Sequence, residues 1–207
     1  MSEKGILVVV SGFSGAGKGT LMKALLEQYA SQYALSISAT TRKPRVGEEH
    51  GREYFFLEKE AFEQLIEEDA LIEHACYVGN YYGTPKSYVL EQMEAGRDVI
   101  LEIEIQGALK VKEKFPDTLL LFVTPPSAKE LESRLKGRGT ETDEVIRDRM
   151  KRAVEEAEFM DQYDYLLVND DLQTCVEEMH QLIQDQHKRC SENAEFICEM
   201  KQELKQL

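Results

Sequence analysis

Nine consecutive residues carry the strongest chemical signal in the chain: Gly12, Phe13, Ser14, Gly15, Ala16, Gly17, Lys18, Gly19 and Thr20. Glycines let a backbone curl until successive N–H groups point inward and cradle a polyphosphate. A lysine closing such a loop reaches the β- and γ-phosphates, and a helix opening there adds its partly positive N-terminus. The alternative is a strand-to-helix turn that is merely rich in glycine. A second cluster lies between Ser38 and Glu48, where Arg42 and Arg45 stand three apart around Pro44, with Tyr54 and Tyr82 downstream. Guanidinium forks take phosphate through two parallel bonds and tyrosine hydroxyls can complete the cage. Its alternative is a solvated charged loop with tyrosines packed as core. A third cluster runs from Lys129 to Arg152, eight cations against six acids. Phosphoryl transfer depends on positioning and charge neutralisation, to which an inserted arginine adds roughly 10³-fold or more.

These groups need a scaffold. Residues 6–10 form an unbroken apolar run of the kind buried on both faces of a parallel sheet, and 99–101, 119–123 and 165–168 repeat it. Helical spacing fills 20–29, 108–114, 128–135 and 144–160. The alternation predicts an α/β fold, a doubly wound parallel sheet forming a P-loop core with an inserted nucleotide-binding lobe and a helical lid. One domain is expected, with its core in 1–35, 91–124 and 158–190. The inserted lobe is 36–90, with a helix near 61–69. The lid is 125–157, opening at Pro125-Pro126 and turning at Gly137-Arg138-Gly139. In the tail, 191–207, Phe196, Met200, Leu204 and Leu207 share one helical face suited to docking on the core or on another subunit, so a homo-oligomer stays open.

Composition bounds the partners. The 207 residues are 42% hydrophobic and 31% charged, which excludes collagen-like and mostly disordered classes. With 25 Lys and Arg against 39 Asp and Glu, the formal charge of −14 disfavours nucleic acid and anionic membrane, and an anionic ligand must meet a local cationic island. No apolar run reaches the roughly 18 residues of a membrane span. Without a signal-peptide pattern, and with Cys76, Cys175, Cys190 and Cys198 lacking CxxC spacing, a cytoplasmic protein with reduced thiols is expected.

A phosphate loop alone leaves ATPases, GTPases and kinases open. A switch GTPase would need an Asn-Lys-x-Asp segment, and Asn169-Asp170-Asp171 lacks the lysine. A kinase must bring a second substrate to the γ-phosphate and exclude water, for which lobe and lid are suitable parts. Gly19 stands where Ser or Thr usually supplies a hydroxyl to Mg²⁺, with Thr20 one place on. The Gly-Lys-Gly-Thr sequence resembles the loop of adenylate kinases, and a metal held mainly by nucleotide and water is expected, with no protein ligand set.

Ser38-x-Thr-Thr-Arg42-x-x-Arg45-x-Gly47-Glu48, the segment Asn80-Tyr-Tyr-Gly-Thr84 and the early loop, in this order, resemble the guanylate kinase family up to about residue 185. The resemblance implies transfer of the γ-phosphoryl of ATP to GMP and dGMP, with Mg²⁺ accompanying ATP. It makes Arg42, Arg45, Tyr54 and Tyr82 the GMP phosphate cage and Ser38, Glu73 and Thr84 the guanine readers. One carboxylate can accept guanine N1–H and N2–H together, whereas adenine would oppose its N1 lone pair to it. Glu73 has an alternative as a surface carboxylate closing a helix, and His74 reads as structural. The resemblance also puts Glu102 near the GMP base and ribose. The family usually has Asp where this chain has Glu102 and Glu104, and Glu104 is open between a functional and a structural role. Arg134, Arg138 and Arg149 are implied as contacts to ATP and the moving phosphoryl, with Lys151 and Arg152 as solvated helix charges. Asn169 would meet the adenine of ATP or cap a turn. The competing readings are a kinase for another nucleoside monophosphate and a guanylate-kinase-like protein-binding module. Modules of that kind commonly lack an intact loop, and this chain keeps Lys18.

Overall fold

The computed structural model describes residues 4–77, 79–137, 142–190 and 193–206, so Arg138 and Leu207 lie outside the described residues. In chain order the elements are β1 (Leu7–Gly12), α1 (Lys18–Gln28), β2 (Tyr33–Leu35), β3 (Ala39–Thr40), β4 (Phe55–Phe56), α2 (Lys59–Glu67), β5 (Leu71–Tyr77), β6 (Asn80–Pro85) and α3 (Lys86–Glu94). There follow β7 (Asp98–Glu102), α4 (Ile105–Lys114), β8 (Leu119–Thr124), α5 (Ala128–Gly137), α6 (Asp143–Ala157), a 3₁₀ turn (Met160–Gln162), β9 (Tyr165–Val168), α7 (Leu172–His187) and α8 (Ala194–Leu204).

Five strands form a parallel sheet in the order β2-β7-β1-β8-β9. Val8, Val9 and Val10 are fully buried because helices cover both faces, each such side chain contributing about 1.5–3 kcal/mol relative to exposure. The chain leaves β1 toward β2 on one side, while β8 lies on the other. The carboxyl end of β1 is therefore a switch point, where α/β sheets open a ligand crevice. The four runs expected as strands all pair here. The short edge strand β2 escapes periodicity, its three residues being too few to show an alternation.

A second sheet, β4-β3-β6-β5, is built from the inserted segment. It has its own small core of Ala39, Phe62 and Leu71, with Tyr81 stacked on Phe62 at 5.3 Å between ring centroids. Helix α3 runs across residue 90, joining this sheet to β7. The 125–157 segment is the helix pair α5 and α6, tied to the main core by Leu131, Leu135, Ile146 and Ala153. Thr142 caps α6 by accepting from Val145 N.

Helix α7 buries Cys175, Val176, Met179 and Ile183 against the sheet. Its His180 stacks on Tyr29 and bonds the Tyr33 hydroxyl (2.6 Å), while His187 meets Asp98 (2.8 Å). In α8, Phe196, Met200 and Leu204 share a face that stays exposed, so the described tail does not dock on the core. Among the described residues no helix is long and apolar enough to cross a membrane.

Candidate active site

The glycine-rich loop leaves β1 at its carboxyl end and turns into α1. Gly17, with φ +90°, is the N-cap, and no side chain caps the helix. The partly positive end of the helix thus faces the loop, in a turn without an acidic residue that would repel an anion. A Cβ at Gly17 would come within 2.5 Å of Asn169 Nδ2, and one at Gly12 within 2.1 Å of the Val123 carbonyl. Both positions need glycine for space as well as for backbone angle. Lys18 folds back over the loop, its Nζ donating to the carbonyls of Gly12 (2.8 Å) and Phe13 (3.2 Å).

Other elements converge on this loop. From α6, Arg149 Nη1 donates to Ser14 Oγ at 3.3 Å. From the end of β9, buried Asn169 donates its amide to the Ala16 carbonyl at 2.9 Å. That bond braces the loop, a third use beside the two weighed from the sequence. Glu102 ends β7 beside β1, its carboxyl raised by desolvation and partly countered by Lys18. It also borders a cavity of about 410 Å³ with Gly19, Met22, Lys23, Leu26, Glu27 and Leu35. Arg134 is held by Glu130 one turn earlier on its own helix (2.8 Å). Glu104, the N-cap of α4, pairs with Arg152 of α6, which also bonds Glu156 (3.0 Å). Arg152 is a solvent-facing helix charge as expected, and it bridges two elements as well.

In the inserted lobe, Arg42, Tyr54 and Tyr82 come together. The guanidinium lies 5.3 Å from the Tyr54 ring centroid and 5.7 Å from that of Phe56, and the two tyrosine rings meet edge to face at 6.1 Å. Glu48 holds Arg42 through two parallel bonds of 2.9 and 3.0 Å and accepts from Arg45 N at 2.7 Å. These donors keep its carboxyl below the ordinary range. Arg45 enters this group through its backbone, its side chain being exposed. Ser38 is half-buried just before β3, its carbonyl accepting from Phe55 N.

Glu73 and Thr84 meet through a sheet irregularity. Leu71 pairs with Pro85 and His74 with Gly83, so Ile72 and Glu73 together oppose the single residue Thr84. This bulge sends Ile72 into the main core and leaves the Glu73 carboxylate accepting from the Thr84 hydroxyl at 2.8 Å. Desolvation raises the Glu73 carboxyl, opposed by the Thr84 bond and then by Lys110. A Cβ on Gly107 would lie 3.6 Å from Glu73 Oε2, so the carboxylate sits against the first turn of α4. His74 is exposed.

Residues 102–107 link the two halves: Glu102 lies beside Lys18, and Gly107, five residues on, lies beside Glu73. The sequence motif includes Glu48 but assigns it no role, although an acid three residues after Arg45 across a glycine was a readable signal. It also overlooked Gly107 and Lys110, whose closeness to Glu73 depends on α4 packing against β5.

A phosphate loop at a parallel-sheet switch point, joined by one short segment to a second cluster of polar side chains, defines the class of P-loop phosphotransferases. A guanylate kinase family model matches residues 4–186. The guanylate kinase of Caldanaerobacter subterraneus subsp. tengcongensis is 48% identical over 98% of each chain. That of Shouchella clausii is 53% identical over 87% of this chain and 88% of its own. The crystal structure of guanylate kinase from Anaplasma phagocytophilum superimposes with a TM-score of 0.69 at 30% identity, covering 91% of this chain and 89% of that one. The chain belongs to the guanylate kinase family.

Proposed function

We propose that this protein transfers the γ-phosphoryl group of ATP to GMP, and to dGMP, giving ADP and the guanosine diphosphate. The observation that carries the guanine reading is the part-buried Glu73–Thr84 pair, its Thr84 fully enclosed, in the same lobe as the Arg42–Tyr54–Tyr82 cluster. An ionised carboxylate accepts N1–H and N2–H together. Since Thr84 spends its proton on Glu73, the hydroxyl left to donate to O6 is that of Ser38. Adenine would set its N1 lone pair against the carboxylate and leave buried groups unpaired, a discrimination of roughly 10⁴-fold.

In this reading the inserted lobe, 36–90, receives GMP, with Arg42, Arg45, Tyr54 and Tyr82 around its phosphate and Glu102 toward the base and ribose. The loop from Gly12 to Thr20 holds the ATP phosphates, and Asn169 acts by bracing it. A phosphate oxygen of GMP, ionised at neutral pH, attacks the γ-phosphorus. A P–O bond forms there, the bond to the β–γ bridging oxygen breaks, and its electron pair leaves on ADP. No side chain has to remove a proton. Lys18, Arg149 and, from the 125–157 lid, Arg134 and Arg138 offset charge on the moving group. Mg²⁺ brought with ATP would be held mainly by the nucleotide phosphates and water rather than by a set of protein ligands. When bound, the ion neutralises phosphate charge. The free thiols of Cys76, Cys175, Cys190 and Cys198 support a reducing, cytoplasmic setting.

An ADP-release assay with GMP, dGMP, AMP, UMP and CMP tests the proposal. GMP and dGMP should dominate kcat/KM, and faster turnover of AMP than of GMP would overturn the guanine reading.

A further inference from the structure

The guanidinium of Arg42 has five N–H donors in a planar fork, and their assignment is informative. Nη1 donates to Glu48 Oε2 and to the Lys43 carbonyl (2.8 Å), and Nη2 donates once, to Glu48 Oε1. Glu48 therefore occupies the end edge of the fork, between Nη1 and Nη2. The side edge, Nε with the second hydrogen of Nη2, is a separate pair of parallel donors. Glu48 itself is fixed by the turn from Arg45 to Glu48, closed by the bond from Glu48 N to the Arg45 carbonyl and by Gly47 at φ +89°. Tyr54 and Phe56 support the ring-like plane of the fork from their faces.

We propose that Glu48 is a positioning residue for the acceptor nucleotide: by clamping the Nη1–Nη2 edge of Arg42, it turns the Nε–Nη2 edge toward the acceptor phosphate. The inference rests on the proposed role of Arg42 in binding that phosphate. A guanidinium already ordered by a carboxylate and two aromatic rings loses little rotamer freedom when the anion arrives. Opposing this is repulsion between Glu48 and the phosphate. Arg42 and Glu48 remain 17% and 18% exposed, so water reaches the pair and screens that repulsion. Had Glu48 held the side edge, it would act as a stand-in for phosphate that must leave. Its place on the end edge makes it a permanent part of the cage.

The test uses the full chain as wild type, Glu48→Gln, Arg42→Met and the double variant, with calorimetric titration of GMP and of guanosine and steady-state kinetics. Glu48→Gln should raise Kd and KM for GMP about tenfold or more, the weight of a charge-assisted bond. Guanosine affinity and KM for ATP should stay unchanged. In the Arg42→Met background, Glu48→Gln should add nothing, because the carboxylate acts through the guanidinium. Tighter GMP binding in Glu48→Gln would make the residue a competitor and overturn the proposal. An effect that persists undiminished in the double variant would also overturn it. Weakened GMP binding in Arg42→Met with wild-type binding in Glu48→Gln refutes the role of Glu48 alone. Unaltered GMP binding in Arg42→Met removes the phosphate cage itself, and the role of Glu48 falls with it. Should guanosine affinity show that Glu48→Gln disrupts the lobe, Glu48→Asp decides: its shorter arm should weaken GMP binding and spare guanosine, and equal loss of both refutes the clamp.

Discussion

Replacing Glu73 by Gln separates what the site needs from what the fold prefers. The carboxylate is half-buried against Thr84 and the start of α4 and, in the proposed complex, accepts two N–H donors of guanine. Gln keeps one acceptor and sets an NH₂ group against the other donor. One charge-assisted bond is lost, about 1.5–3 kcal/mol, and a buried donor is left facing a donor, about 1–3 kcal/mol more. At 1.4 kcal/mol per decade, kcat/KM for GMP should fall roughly 10²- to 10⁴-fold. Use of AMP should change less, because the new NH₂ can donate to adenine N1. Stability should move the other way. Burial raises the Glu73 pKa above its unfolded value, so the folded state binds the proton more tightly. Ionisation therefore costs stability above the folded pKa, and that cost disappears below the unfolded pKa. The neutral Gln escapes the cost, and the variant should melt higher than wild type at pH 8, with the gain fading toward pH 4. The checks are an ADP-release assay with GMP and AMP and thermal melts at the two pH values. An unchanged ratio of GMP to AMP turnover refutes the guanine contact, and a lower melting temperature at pH 8 refutes the desolvation argument.

Thr84→Val removes the bond that opposes desolvation of Glu73, so the carboxyl pKa should rise further and the acid limb of kcat/KM for GMP should move to higher pH. A limb that coincides with that of wild type contradicts this. Gly17→Ala drives a Cβ to 2.5 Å from Asn169 Nδ2 at φ +90°, and should cost about 1–3 kcal/mol in urea unfolding and weaken ATP binding. Wild-type stability together with wild-type KM for ATP would show that the loop tolerates a side chain there. Asp98→Ala leaves the buried Ile6 N–H without its acceptor, now 2.9 Å away, and should cost about 1–3 kcal/mol, whereas Asp98→Asn keeps an acceptor and should cost much less. Equal urea midpoints for the two variants would rule out the orphaned donor as the cause.

The phosphate loop, the four long strands of the main sheet and the helices between them were legible because each is a contiguous pattern with a local physical cause. Glycine spacing dictates backbone curvature within one turn, and an unbroken apolar run has few ways to be buried. Strand β2 and the two-residue strands β3 and β4 were not legible, since so short a segment becomes a strand only when a neighbour offers its hydrogen bonds. Helix α7 came to light only with the sheet surface that buries it. In the inserted lobe the sequence supplied Arg42, Tyr54, Glu73, Tyr82 and Thr84 as residue types able to bind an anion or a base. Tertiary structure decided which of them touch. A bulge of one residue in β5 turns Glu73 toward Thr84, and the packing of α4 on β5 brings Gly107 against that carboxylate. Glu48 on Arg42 and Asn169 on Ala16 are likewise products of folding, the first across a tight turn and the second across 153 residues of chain. Curvature and burial are properties of a segment and can be written into it. A contact between side chains depends on strand order, register and the direction in which each Cβ points, and those are fixed only when the sheets close.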